Sequence, residues 1–165
     1  MTERKKMEQQ LRRLSDAVRM STDSIVVTDL EGNLLDANEA SLKLYGVHNK
    51  PDSMGLGPLH SVIPEEREMV SANLAKVIER GTLKDVQHHA LTRDGRKLLI
   101  ETSASLMRSA NWEPIGLVAV SRDITERKRM EEQLYRAGRL AAVGELAAGV
   151  AHELNNPLAA IKSLA

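Results

Sequence analysis

Two stretches of this chain are near copies of each other. Thr2-Glu-Arg-Lys-Lys-Met-Glu-Gln-Gln-Leu-Arg-Arg13 returns as Thr125-Glu-Arg-Lys-Arg-Met-Glu-Glu-Gln-Leu-Tyr-Arg136. A repeat of this kind marks equivalent connectors on the two sides of one module. The first copy lies in a charged amphipathic helix over residues 2–20, where Met7, Leu11, Leu14 and Val18 recur at spacings of four, three and four. That is the pattern of a coiled-coil seam. A helix packed on its own domain would show the same short run; the repeat favours the connector. We therefore expect a further module before Thr2 in a longer protein.

Between the connectors the punctuation predicts a small mixed domain. Ser24 to Asp29, the turn Glu31-Gly32-Asn33, and Leu34 to Ala37 read as a β-hairpin, the glycine supplying the turn's backbone angles. A short helix follows from Asn38 to Leu44 and ends at Tyr45-Gly46. Residues 47–63, with their prolines and glycines, read as loop and short helical turns. Pro64, Glu65 and Glu66 open a longer helix that Gly81 closes, with Val70, Leu74, Val77 and Ile78 expected on its apolar face. Leu83 to Thr92, Lys97 to Met107 and Pro114 to Asp123 read as strands, the first two joined by the turn Arg93-Asp94-Gly95-Arg96.

The C-terminal stretch is helical: from about Met130 it is rich in Ala, Leu, Glu and Arg, and no proline interrupts before Pro157. With His152 at the origin of a helical wheel, Leu140, Val143, Leu146, Ala147, Val150, Leu154, Leu158, Ile161 and Leu164 cluster within about 60° of the opposite direction. Small or polar residues surround the histidine: Glu145, Ala148, Gly149, Asn155, Asn156, Ala159 and Ser163. The imidazole therefore faces solvent in a cleared patch. Glu153 offers a carboxylate that could hold the Nδ1 proton, although adjacent helical residues do not face each other. Pro157 crowds the Glu153 carbonyl, so a bend is expected just after the site.

His152-Glu-Leu-Asn-Asn-Pro157, preceded by Gly138-Arg-Leu-Ala-Ala-Val-Gly-Glu-Leu-Ala-Ala-Gly-Val-Ala151, resembles the phosphoacceptor box of sensor histidine kinases. The resemblance implies that His152 takes the γ-phosphoryl group of ATP, that Glu153 serves as general base, and that Asn156 positions the water for phosphatase action on a response regulator. Val27 to Asn38, Tyr45-Gly46, Asp94-Gly95 and the closing Asp123-Ile-Thr125 resemble a PAS sensor domain over residues 16–125. That resemblance implies an α+β fold, a five-stranded antiparallel sheet with helices on one face, flanked here by N- and C-terminal coiled-coil helices. The expected segments are 1–20 as connector helix, 21–124 as PAS domain, 125–138 as signalling helix, and 139–165 as the first helix of a dimerisation and phosphotransfer domain.

Composition narrows the chemistry. Lysine plus arginine and aspartate plus glutamate are equal in number, which gives no reason to expect nucleic acid as a partner. The absence of cysteine excludes disulfides, thiolate metal sites and a cysteinyl flavin adduct. Residues 64–81 hold no histidine to ligate haem. His88 and His89 cannot chelate one ion together, because neighbours in a strand point to opposite faces. With no phenylalanine there is little to stack on a planar cofactor. The expectation is no metal and no cofactor within the chain, and either an unknown small ligand contacting Gln87 or His89 or no ligand at all. Trp112 is expected on the surface or at a dimer contact rather than in a pocket.

The apolar run Leu140 to Ala151 is broken by Glu145 and too short to span a bilayer, so the chain reads as cytoplasmic, its parent free to be membrane-anchored. It carries no glycine-rich loop to cradle ATP and Mg²⁺, which places both in a separate catalytic domain and leaves this stretch inactive alone. The expected partners are that domain, a response regulator and a second copy. Met130, Leu134, Ala137, Ala141, Gly144, Ala148 and Ala151 would form the homodimer's heptad strip. The alternative is a PAS ligand-binding and dimerisation module without phosphotransfer.

Overall fold

A computed structural model describes residues 2–48 and 57–163, with the side chains of Pro58 and residues 154–163 outside the description. The chain divides into two compact units after Thr125.

The first unit opens with α1 (Glu3–Met20), which buries none of its residues. β1 (Ser24–Thr28) and β2 (Leu34–Ala37) then pair antiparallel around Gly32, whose φ of +86° is one that a side chain would disfavour. Asn38 caps α2 (Glu39–Tyr45), accepting from Ser41 N at 2.9 Å. Gly46, with φ +68°, ends that helix, and Val47 N returns to the Leu42 carbonyl at 2.9 Å. A 3₁₀ turn at Pro64–Glu66 leads into α3 (Arg67–Arg80), closed by Gly81. Three strands complete the sheet: β3 (Thr82–Leu91), β4 (Lys97–Arg108) and β5 (Pro114–Asp123).

The strands lie in the order β2-β1-β5-β4-β3, every neighbour antiparallel. The chain thus forms the expected five-stranded α+β fold. Alternation sends Val26, Ala104 and Leu117 to the core side, where Leu117 and Val77 of α3 pack together. Ile78 differs from expectation: it is exposed, because Val77 and Leu74 occupy the face that meets the sheet. Trp112 is 78% exposed in the β4–β5 turn and has φ +64°, a conformation held by Trp112 N donating to the Ser109 carbonyl and Arg108 donating to the Trp112 carbonyl.

The second unit is helical. α4 (Thr125–Ser163) runs continuously through the expected boundary near residue 138 and through Pro157. Its residues from Arg129 to Glu153 are all exposed in the single chain, including Leu140, Val143, Leu146 and Val150 of the apolar stripe. Among the described residues no helix is long and apolar enough to cross a membrane.

Candidate functional site

The helices of the first unit do not fill the space above the sheet. A cavity of about 470 Å³ remains, the size of many small-molecule sites. Its described walls are mostly aliphatic, with Val26 and Leu34 from the hairpin, Leu42 from α2, Val62 from the segment before α3, and Val70 and Leu74 from α3. Polar groups are few. Thr102 and Ser121 share a hydrogen bond of 2.8 Å between β4 and β5. Burial pushes the Tyr45 hydroxyl up in pKa, partly offset by Ser121.

His88 is the exception on this wall. Its side chain is 8% exposed, it lines the cavity, and its Nδ1 is buried without a hydrogen-bond partner among the described residues. Such atoms are rare in folded proteins. Burial holds the ring below its ordinary pKa, with the Glu66 carboxylate opposing that and His89 adding to it. Burial therefore favours the neutral imidazole at His88.

Gln87 and His89, the residues expected to meet a ligand, are not in the described lining. Both point to the other face of β3. Gln87 Nε2 donates to Glu101 at 3.1 Å across the β3–β4 pair. His89 is held by Glu66: its backbone N donates to Oε2 at 2.6 Å, and its ring Nδ1 lies 2.7 Å from Oε1. Burial pushes the Glu66 carboxyl up, but the two bonds from His89 outweigh it and the net shift is downward. This clamp, with Ile63 N donating to the His89 carbonyl and Leu91 N to that of Ser61, fixes the cavity's rim to the free edge of β3. The signal that singles out His88 is in the sequence. Val86, His88 and Ala90 alternate with Gln87 and His89, and the apolar neighbours of His88 mark its face as the inner one.

The domain's two ends are tied to the same sheet. Asn38 Oδ1 accepts from Ile25 N, and its Nδ2 donates to the carbonyls of Val18 and Asp23, joining the end of α1, the start of β1 and α2. Arg122 on β5 grips Asp23 with two bonds of 3.0 and 2.6 Å. That guanidinium holds the Asp23 carboxyl below its usual range. At the exit Ile124 is fully buried, and Thr125 Oγ1 accepts from Leu99 N at 2.9 Å. β5, which supplies Ala119 and Ser121 to the cavity wall, therefore continues through an anchored turn into α4.

On α4, His152 and Glu153 are both exposed. No bond joins them among the described contacts, as expected for neighbours about 100° apart around a helix. The side chain of Asn156 lies outside the described residues.

Comparison with known proteins places both regions in context. A family model described as PAS fold matches residues 18–129. The sensor histidine kinase TmoS of Ectopseudomonas mendocina is 34% identical over 149 residues, covering 86% of this chain and 15% of that protein. Sporulation kinase E of Bacillus subtilis is 29% identical over 98% of this chain and 21% of its own length. The signal transduction histidine-protein kinase AtoS of Escherichia coli is 33% identical over 92% of this chain and 24% of its own length. The chain thus spans about a quarter or less of each of these three relatives. Among solved structures, a PAS domain from Colwellia psychrerythraea aligns with TM-score 0.65 and 28% identity, over 70% of this chain and 98% of that one.

Proposed function

This chain belongs to the PAS fold family, and we propose that it is the sensory and phosphoacceptor part of a two-component sensor histidine kinase. In this reading the domain over residues 21–124 senses a small ligand in its cavity. The helix over 125–138 carries the signal, and 139–165 begins the dimerisation and phosphotransfer domain. The observation that carries the proposal is the unbroken path from the cavity to the histidine. β5 lines the cavity, is pinned at Ile124 and Thr125, and runs on as the helix that presents His152 to solvent.

His152 is the proposed nucleophile. One imidazole nitrogen attacks the γ-phosphorus of ATP while the bond to the ADP oxygen breaks, and Glu153 holds the proton on the other nitrogen. ATP and Mg²⁺ are held by the catalytic domain of the longer protein. Asn156 orients the water that hydrolyses the regulator's aspartyl phosphate to aspartate and inorganic phosphate in the phosphatase reaction. The chain works as a homodimer through the exposed apolar residues of α1 and α4, among them Met7, Leu11, Met130 and Leu134. Small residues along the strip from Ala137 to Ala151 let the sensor bias two packings of that seam, changing access to His152.

The test uses the full-length protein with labelled ATP and Mg²⁺, beside the same protein carrying His152→Gln. Acid-labile, base-stable label that vanishes in the variant is the expected result. Label that survives the substitution, or none despite a folded ATP domain, leaves a PAS ligand-binding and dimerisation module as the reading.

A further inference from the structure

The described residues of the cavity wall differ in their ionisable types. Its described lining contains three nitrogen bases, His60, His88 and Arg93, and no carboxylate. His60 and Arg93 lie on the exposed side, and His88 lies inside. Among the described lining residues a cation meets no carboxylate and an anion meets three nitrogen-bearing side chains, with Glu66 the carboxylate near enough to act on His88. The remaining wall is largely aliphatic, which suits an apolar body. His88 is also the group with an unmet need. A neutral imidazole presents one donor and one acceptor; Nδ1 is closed off and has no partner among the described residues, which leaves Nε2, with no hydrogen bond among the described contacts, as the nitrogen a ligand can meet.

We propose that the cavity binds a small organic carboxylate with an apolar body, and that its carboxyl group pairs with the imidazole of His88. This assignment rests on the sensory role proposed for the domain and names the ligand's class.

Proton bookkeeping gives the assignment a distinctive signature. The groups around His88 come from each neighbouring element. Glu66 and His60 come from the segment before α3, His89 from β3 itself, Tyr45 from the end of α2, and Arg93 from the β3–β4 turn. The parts of α3, β4 and β5 that meet this region supply Val70, Asn73, Leu74, Thr102 and Ser121, none of which titrates. Glu66 is already engaged by His89. Near neutral pH the free ring is uncharged and the free carboxylate is ionised. Bringing them together out of water takes up one proton from solvent, whether it resides on the ring in an ion pair or on the carboxyl in a neutral hydrogen bond. Affinity therefore falls as pH rises, by up to about tenfold per unit.

Isothermal titration of the chain with the sodium salts of butanoate through decanoate, and of phenylacetate, tests this against the corresponding primary amides. The expected result is that at least one acid binds, and that it binds more tightly than its amide. Its affinity should drop about tenfold between about pH 6.5 and about pH 7.5, and close to one proton should be taken up when buffers of different ionisation heat are compared. His88→Gln, which keeps a hydrogen-bonding group but cannot take the proton, should bind without that pH dependence. His88→Leu should lose the preference for the acid while its urea midpoint shows that it folds. Equal binding of acid and amide without proton uptake overturns the carboxylate assignment and leaves a ligand-sensing domain intact. Proton-linked binding that survives in His88→Leu overturns the role of His88. Absence of binding in both series overturns the carboxylate assignment, while the sensory and phosphoacceptor reading stands or falls with the labelling experiment.

Discussion

Substituting Asn38 by alanine removes one side chain and, with it, the junction of three elements. Asn38 is 5% exposed, and its amide makes four hydrogen bonds to backbone: from Ile25 N at 3.0 Å, from Ser41 N at 2.9 Å, to Val18 O at 3.1 Å and to Asp23 O at 3.0 Å. Loss of the bond to Ser41 N, the helix cap of α2, costs about 1 kcal/mol. The other three backbone groups each lose a partner at roughly 0.5–1.5 kcal/mol. Because one side chain makes all four, the losses are not additive, and about 3 kcal/mol is the expected total. At about 4 °C per kcal/mol for a domain of this size, Tm should fall by about 12 °C. Asn38→Asp keeps both acceptor bonds but loses both donor bonds, and it sets a carboxylate against the Val18 and Asp23 carbonyls. It should lose about 2 kcal/mol. Urea unfolding followed by far-ultraviolet circular dichroism measures both. An Asn38→Ala loss below about 1 kcal/mol, or an aspartate variant as damaged as the alanine one, would refute the reasoning.

Two glycines are held by close backbone approach. A Cβ on Gly57 would lie 2.1 Å from the Gly32 carbonyl oxygen, and one on Gly116 would lie 2.4 Å from that of Thr28. Gly57→Ala and Gly116→Ala should each destabilise by about 1–3 kcal/mol, whereas Gly138→Ala on α4, with open space around it, should be neutral or gain up to about 1 kcal/mol in helix stability. Urea midpoints decide between them. The pH dependence has two parts. His88 has a folded pKa below its unfolded value, so the unfolded chain binds more protons and stability is lost as pH falls through about 6.5. Asp23 and Glu66 are also lowered on folding, so their stabilisation is present above the ordinary carboxylate pKa and disappears as pH falls through their folded values. In His88→Leu the first loss should vanish and the second should remain, read as urea midpoints across the acid range.

Where sequence spacing and backbone chemistry agree, the fold was legible residue by residue. Gly32, Gly46, Gly81 and Gly95 all adopt positive φ at places read as turns or helix ends, and β5 runs over the expected Pro114–Asp123. Ile78 illustrates a looser constraint: a helical stripe shows which residues share a face but not how deep the sheet reaches along it, and Val77 takes the buried place. The β3 bulge near Leu83–Val86, with Asp85 at φ +55°, left no mark in composition because an aspartate, not a glycine, stands there. The bond from Glu66 to His89 joins residues 23 apart and follows from the folded path of the chain, so no local pattern announces it.

The choice of His88 for the proposed ligand site turned on a single step of strand parity. Alternation fixes that His88 and His89 face opposite ways, but polarity alone makes both candidates for a polar site. Their neighbours decide between them. On one side of β3, Val86 and Ala90 flank His88, and Ala90 is almost fully buried; on the other, Gln87 pairs with Glu101 in a cross-strand contact open to water. An imidazole between two apolar inward residues has left water without a partner of its own, and an imidazole beside a glutamate has already been satisfied. The first arrangement sets the ring on the cavity wall without a hydrogen-bond partner among the described residues. The second builds the cavity's rim, which is why His89 serves the structure and His88 is the residue proposed to meet a ligand.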